Sequence, residues 1–230
     1  MNDNRTDLII LVDRSGSMSS VVEETVAGTN RYFHEQREIP GECFIHLYRF
    51  DNEWERVLQG VNLVGLADIS RQDIEPRGWT ALFDAIAATI SDMGNYYRAL
   101  PEGQRPSKVL MVILTDGEEN SSKEFRAHQV KEMIKHQTDK YNWQVTFIGA
   151  NQDAVLAGDT VGIGLGQSLN FAANARGVGN AYTSISSATS RFRKGDKTSN
   201  VDTDGNLVQM DFGYTIAEQA VGVEDTSTHE

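Results

Sequence analysis

Apolar residues fall along this chain in two kinds of block. Asp7–Asp13 (DLIILVD), Lys108–Asp116 (KVLMVILTD) and Trp143–Ala150 are short, nearly continuous apolar runs. That pattern predicts strands covered on both faces of a parallel sheet. Between them the period lengthens. Met18–Glu38 puts Val22, Val26, Thr29 and Phe33 at helical spacing, and Thr80–Leu100 does the same with Leu82, Ile86, Ile90, Met93 and Tyr97. Lys123–Lys140 carries a weaker stripe through Val130, Met133, Ile134 and Gln137. Gly179–Arg193 carries Tyr182, Ile185, Ala188, Thr189 and Phe192 on one side. Gln152–Val161 reads as a short helix and Ser168–Phe171 as a last short strand. Glu42–Asp51 (ECFIHLYRFD) alternates as a strand, and Trp54–Asn62 is its hairpin partner across Asp51–Glu53.

Strands alternating with helices, joined by right-handed crossovers, make an open sheet with helices on both faces. The expected fold is α/β: a doubly wound, mostly parallel six-stranded sheet with one antiparallel edge strand. Ligands of such sheets gather beyond the carboxyl ends of the strands, where the strand order reverses. Chemistry is therefore expected just after Asp13 and after Thr115–Asp116.

Bulk properties narrow the picture. The 230 residues suit one sizeable domain. No apolar run reaches the length of a membrane span, and the polar start MNDNRTD is unlike a secretory signal; a cytoplasmic, monomeric protein is expected. The single cysteine, Cys43, allows neither an internal disulfide nor a thiolate metal cage, and its apolar surroundings predict a buried, inert thiol. Of the net charge of −12, the segment from Asp196 onward contributes −7, from eight acids and one lysine. Its periodicity fades, so residues 1–195 are expected to form the domain and 196–230 an acidic, flexible tail, in which only the short run Leu207–Ile216 could still pack. The body lacks a concentrated basic patch, which argues against nucleic acid as a partner.

Three segments carry candidate chemistry. Asp13-Arg14-Ser15-Gly16-Ser17 ends the first strand with a carboxylate and two hydroxyls at two-residue spacing, and Gly16 eases the bend. Thr115-Asp116-Gly117 ends the strongest strand, and Arg77-Gly78-Trp79-Thr80 precedes a helix. Carboxylates and neutral hydroxyls are hard oxygen ligands suited to Mg²⁺ or Mn²⁺. Two carboxylates brought together across the switch point repel unless a cation or a proton lies between them. Blander roles compete: Ser17 and Ser19 as helix caps, Asp116-Gly117 as a turn, Thr80 as an N-cap beside its metal role. Glu118 and Glu119 read as a solvated charge cluster and Asp84 as outward-facing or supporting. Arg14 and Trp79 are candidate partner contacts, because Arg and Trp recur at binding hot spots, with inward packing the alternative for Trp79. Gly162–Gly166 reads as turn glycines. Asp202–Asn206 has the glycine misplaced for a calcium loop and lacks the closing Glu.

Together, Asp13, Ser15, Ser17, Thr80 and Asp116 resemble the metal-ion-dependent adhesion site of von Willebrand factor type A (vWA) domains, in order and in strand context. Residues 7–193 follow the Rossmann-like vWA plan, and phrases such as TALFDAI and LTDGEENSS are similar to bacterial and phage-type vWA proteins. The resemblance implies that the two serines and one of Thr80 or Asp116 bind the ion directly while the other side chains act through water. It implies that Mg²⁺, with Mn²⁺ or Ca²⁺ as alternatives, captures an Asp or Glu carboxylate of a protein or peptide partner. On this reading the protein is a binding module and not an enzyme. The rivals are a Mg²⁺-dependent phosphatase-like hydrolase, a serine hydrolase using Ser15 or Ser17, and a scaffold whose metal loop is idle. The second acid of a haloacid-dehalogenase-type site is replaced by Ser15, and the loop is not a Gly-x-Ser-x-Gly elbow.

Overall fold

The computed structural model describes residues 1–150, 154–201 and 206–223. Six strands form one sheet: β1 (Asn2–Asp13), β2 (Glu42–Phe50), β3 (Trp54–Asn62), β4 (Pro106–Thr115), β5 (Gln144–Ala150) and β6 (Ser168–Phe171). Their order is β3-β2-β1-β4-β5-β6. All neighbours are parallel except β2 and β3, the expected antiparallel edge hairpin. Five helices surround the sheet: α1 (Val22–Arg37), α2 (Leu82–Ala99), α3 (Ala127–Tyr141), α4 (Ala154–Thr160) and α5 (Ala175–Lys194). Residues 151–153, where the sequence places the start of the α4 region, lie outside the described residues.

The period-2 rule of strands divides the core in two. Leu8, Ile10 and Val12 of β1 face α1 and α5, joining Tyr32, Phe33, Tyr182 and Ile185. Ile9 and Leu11 face the opposite way, toward Ile86, Met93 and Ile134 of α2 and α3. Helices α1 and α5 pack closely because Gly28 has no side chain: a Cβ there would sit 2.2 Å from the Tyr182 ring. Hydroxyl pairs then tie the helices together, Thr29 to Tyr182 at 2.6 Å and Tyr32 to Thr189 at 3.1 Å. Cys43 is buried as expected, and burial pushes its thiol up to about 12, which leaves little nucleophilic thiolate. No helix among the described residues is long and apolar enough to cross a membrane.

The segment after Gly195 departs from the expectation of a flexible tail. It forms a hairpin, β7 (Thr198–Val201) with β8 (Leu207–Met210), and a further helix, α6 (Ile216–Val223). Phe212 and Tyr214 are fully buried in the core beside α5. Phe212 packs edge-on against Phe192, and the Tyr214 hydroxyl lies 2.8 Å from that of Thr146 on β5. Gln219 of α6 donates to the carbonyls of Leu165 and Ser168, covering backbone acceptors beside the edge strand β6. Arg191 on α5 pairs with Glu218. Phe212 and Tyr214, within the short run Leu207–Ile216, supply this docking, a run too short to produce a visible period. Residues 202–205, which carry most of the calcium-loop comparison, lie outside the described residues.

Candidate metal centre

The strand register creates the site. Central strands β1 and β4 run side by side with Val12 opposite Leu114, so Asp13 and Thr115 emerge as neighbours at the carboxyl edge. Thr115 Oγ1 donates to Asp13 Oδ2 at 2.6 Å, and the Ser15 backbone N–H donates to Asp13 Oδ1 at 2.6 Å. Ser15 and Ser17 hydroxyls lie 3.0 Å apart, and Ser17 donates to Asp116 Oδ1 at 2.7 Å. Thr80 arrives from a third loop. A Cβ built on Gly117 would lie 3.1 Å from Thr80 Oγ1, 3.6 Å from Ser17 Oγ and 4.0 Å from Asp13 Oδ2. Oxygens from three segments far apart in sequence thus gather around Gly117, and Ser17 links the remaining two side chains to them.

Asp13, Ser15 and Thr80 are buried, Asp116 is partly buried and Ser17 is exposed, so the cluster opens to solvent on one side. A cavity of about 290 Å³ lies there, lined by Ser15, Gly16, Ser17, Gly78, Trp79, Thr80 and Asn120. Burial raises the Asp13 carboxyl to about 6, offset by hydrogen bonds from Thr115 and Ser15 and reinforced by the Asp116 charge. Burial also raises Asp116, against the hydrogen bond from Ser17. The set contains two carboxylates and three hydroxyls with no nitrogen or sulfur, a donor set for a hard divalent cation. The crowded carboxylates are the groups such a cation would stabilise.

No protein-family model matches the sequence, and no curated protein matches it. Solved structures do. The ArnB paralog VWA2 from Sulfolobus acidocaldarius aligns over 80% of this chain and 44% of its own, at 18% identity and a TM-score of 0.53. A von Willebrand factor type A protein from Catenulispora acidiphila aligns over 86% of this chain and 44% of its own, at 14% identity and a TM-score of 0.57. Proximal thread matrix protein 1 from the mussel byssus, solved with zinc in its MIDAS motif, aligns over 83% of this chain and 47% of its own, at 10% identity and a TM-score of 0.56. The chain has the von Willebrand factor type A fold. It spans less than half the length of these vWA structures.

Within the vWA fold, several side chains take roles other than those expected. Arg14 is not a surface contact: it is 2% exposed, pairs with Asp51 at 3.1 Å and donates to Glu55 at 2.7 Å. The Asp-x-Ser-x-Ser spacing puts this residue on the far side of the loop from the hydroxyls, toward β3. Trp79 is 67% exposed on the cavity rim and remains available to a partner. Thr80 does not cap α2, whose first residue is Leu82 with Ala81 before it. The preceding turn keeps Thr80 outside the helix, its N–H held by Asn120 Oδ1 at 2.9 Å. Ser17 likewise lies inside a short 3-10 turn, Gly16–Ser20, rather than capping α1.

The acidic cluster after Asp116 divides. Glu118 is exposed. Glu119 is a structural carboxylate, accepting from the backbone N–H of Phe83, Ser121 and Ser122. The Phe83 contact satisfies one of the unpaired N–H groups of the α2 start. Asp84 accepts from the N–H groups of Lys123, Glu124 and Phe125, fixing the turn before α3. Asp84→Ala is expected to cost about 1–2 kcal/mol, read as a shift in the denaturant midpoint. Asn120, four residues after Asp116, holds the Thr80 N–H and has little to mark it in the sequence. Its signal is a short polar side chain in a turn beside a ligand strand, and such residues are common.

The raised Asp13 carboxyl has a pH signature in metal-free protein. The folded state holds its proton up to about pH 6 and the unfolded state only to about 4. The contribution is fully present below pH 4 and is lost as pH rises to 6 and above. Relative to Asp13→Asn, wild type in EDTA should therefore lose on the order of 2–3 kcal/mol between pH 4 and 7. Paired urea titrations across that range measure the difference; a flat difference would show that Asp13 is not held in a low-dielectric setting.

Proposed function

We propose that the protein is a metal-dependent binding module for a protein or peptide, not an enzyme. Asp13, Ser15, Ser17, Thr80 and Asp116 hold one divalent ion, Mg²⁺ in preference, and a partner's Asp or Glu carboxylate completes its coordination. The single observation behind this reading is the clustering of the five side chains at the β1–β4 edge, with Ser15, Ser17 and Thr80 lining one open cavity. When bound, the ion supplies a positive charge only partly neutralised by the chain, which attracts an anionic oxygen. The chain's own residues orient the ion and shape the approach to it. Trp79 adds an exposed aromatic face beside the cavity, the kind of residue that anchors an interface.

An adhesion role is also supported by the likeness to a thread matrix protein whose MIDAS motif holds zinc. A hydrolase reading has less behind it. Ser15 and Ser17 bond to each other and to Asp116, while His34 bonds to Asp68 and His46 to Asp7. Neither serine therefore has a histidine as its base in these contacts. Affinity capture on the immobilised chain, with Mg²⁺ and again in EDTA, tests the proposal. A partner retained only with Mg²⁺, and lost or weakened with Trp79→Ala, is the expected result. Identical capture in EDTA, or turnover of a phosphate ester or carboxylic ester that Asp13→Ala abolishes, would refute it.

A further inference from the structure

Beside the proposed site lies a charge cluster whose ion pairs run among its own members and the β2–β3 turn. Asp51, in the β2–β3 turn, is 2% exposed. Its carboxylate receives Arg77 Nε at 2.6 Å, lies 3.1 Å from Arg14 Nε and accepts the Glu53 N–H at 2.7 Å. Its backbone carbonyl accepts the Ala81 N–H at 3.0 Å. Arg14 in turn donates its N–H to Phe50 and accepts from Arg77 N–H at 2.6 Å. Glu55 closes the cluster, accepting from Arg14 and Arg49, which hold its carboxyl down to about 2.

The cluster joins the segments that bear the ligands. Arg14 lies between Asp13 and Ser15, and Arg77 lies three residues before Thr80. The two loops are also stitched directly, Gly16 N–H to Gly78 carbonyl at 3.2 Å. Gly78 has φ of +69°, and a Cβ there would meet Asn52 Oδ1 at 2.6 Å, so this close approach requires glycine. On the other side, Asn120 and Ser121 donate their N–H groups to the Thr80 carbonyl, bringing in the Asp116 loop. A buried ionic cluster is a poor source of net stability, because desolvation offsets its attraction. What such a cluster supplies well is geometry.

Ion size makes geometry decisive. Mg²⁺ demands near-ideal octahedral positions at about 2.0–2.1 Å, whereas Ca²⁺ accepts looser shells at about 2.3–2.6 Å. We infer that Asp51, together with Arg14 and Arg77, positions the ligand loops tightly enough to make the site favour Mg²⁺ over Ca²⁺. This rests on reading the five side chains as a metal site. Asp51 and the arginines are positioning residues; they do not contact the ion.

The test is calorimetric titration of the full chain with MgCl₂ and with CaCl₂, well below the melting temperature of each variant. In Asp51→Asn, Mg²⁺ affinity is expected to fall about tenfold, the low end of the effect of removing a residue bonded directly to a ligand, because Asp51 acts on the loops and not on a ligand side chain. Ca²⁺ affinity falls less, so the Mg²⁺/Ca²⁺ ratio drops. Arg77→Met, at a half-exposed position, shifts the ratio the same way and decides the matter if Asp51→Asn does not fold. Unchanged Mg²⁺ affinity, or equal weakening for both ions, overturns the inference. Wild-type protein that binds neither ion defeats the metal reading itself, a result distinct from wild-type binding that ignores Asp51.

Discussion

Phe212→Ala is expected to lower stability by about 3–5 kcal/mol, the usual cost of emptying a fully buried phenylalanine site. For a domain of this size that corresponds to a fall in melting temperature on the order of 10 °C. Ending the chain after Gly195 should do more. It removes Phe212 and Tyr214 together, uncovers Phe192 and Thr146, and strips Gln219 from the carbonyls beside β6. Since domains are stable by only about 5–15 kcal/mol, the shortened protein should be partly unfolded or aggregation-prone at ambient temperature. Urea titrations of both forms measure the effect. A loss below about 1 kcal/mol for Phe212→Ala would show that the segment lies loosely on the domain.

Asp13→Asn should abolish Mg²⁺ binding and leave the fold intact. The asparagine oxygen can still accept from the Ser15 N–H, and its NH2 takes the Oδ2 place, where the Thr115 hydroxyl can turn to accept from it and donate to the Gly117 carbonyl. What disappears is a buried negative charge close to Asp116. In wild type, Mg²⁺ at tenfold excess over its dissociation constant should stabilise by about 1.4 kcal/mol. The variant should show no shift with Mg²⁺, while in EDTA near pH 8 it should melt at or above wild type because the uncompensated carboxylate is gone. Thermal melts with and without Mg²⁺ report both effects. A variant that unfolds in EDTA would mean that Asp13 chiefly holds the fold together.

These two predictions mark what the sequence disclosed and what it hid. The sheet was legible because β1, β4 and β5 carry nearly continuous apolar runs, with β1 extended back through a polar start to Asn2, and because β2 and β3 flank a short turn at Asp51–Glu53. The ligand set was legible because Asp13 and Asp116 end adjacent strands, a place fixed by topology. The C-terminal packing was not. It depends on Phe212 and Tyr214 finding a gap beside α5, and a run as short as Leu207–Ile216 has no period that says where it docks. The fate of Arg14 was equally hidden. One residue from the ligands in sequence, it points away from them and meets Asp51, a partner identifiable only once β2 and the Arg77 loop lie beside β1. Glu119 and Asp84 illustrate the same limit: surface-like acids that accept N–H groups from distant segments, Glu119 from Phe83 and Asp84 from Phe125.

The metal itself is the most direct test. Crystals grown or soaked with Mn²⁺, measured for anomalous scattering, should show one strong peak at the mouth of the β1–β4 switch point. It should lie within bonding distance, about 2.1 Å for an ion of Mg²⁺ type, of the Ser15 and Ser17 hydroxyls. Thr80 or Asp116 should complete the protein's direct contacts. A site that stays empty under saturating Mn²⁺, or an ion bound elsewhere while these five oxygens keep only one another as partners, would contradict the account.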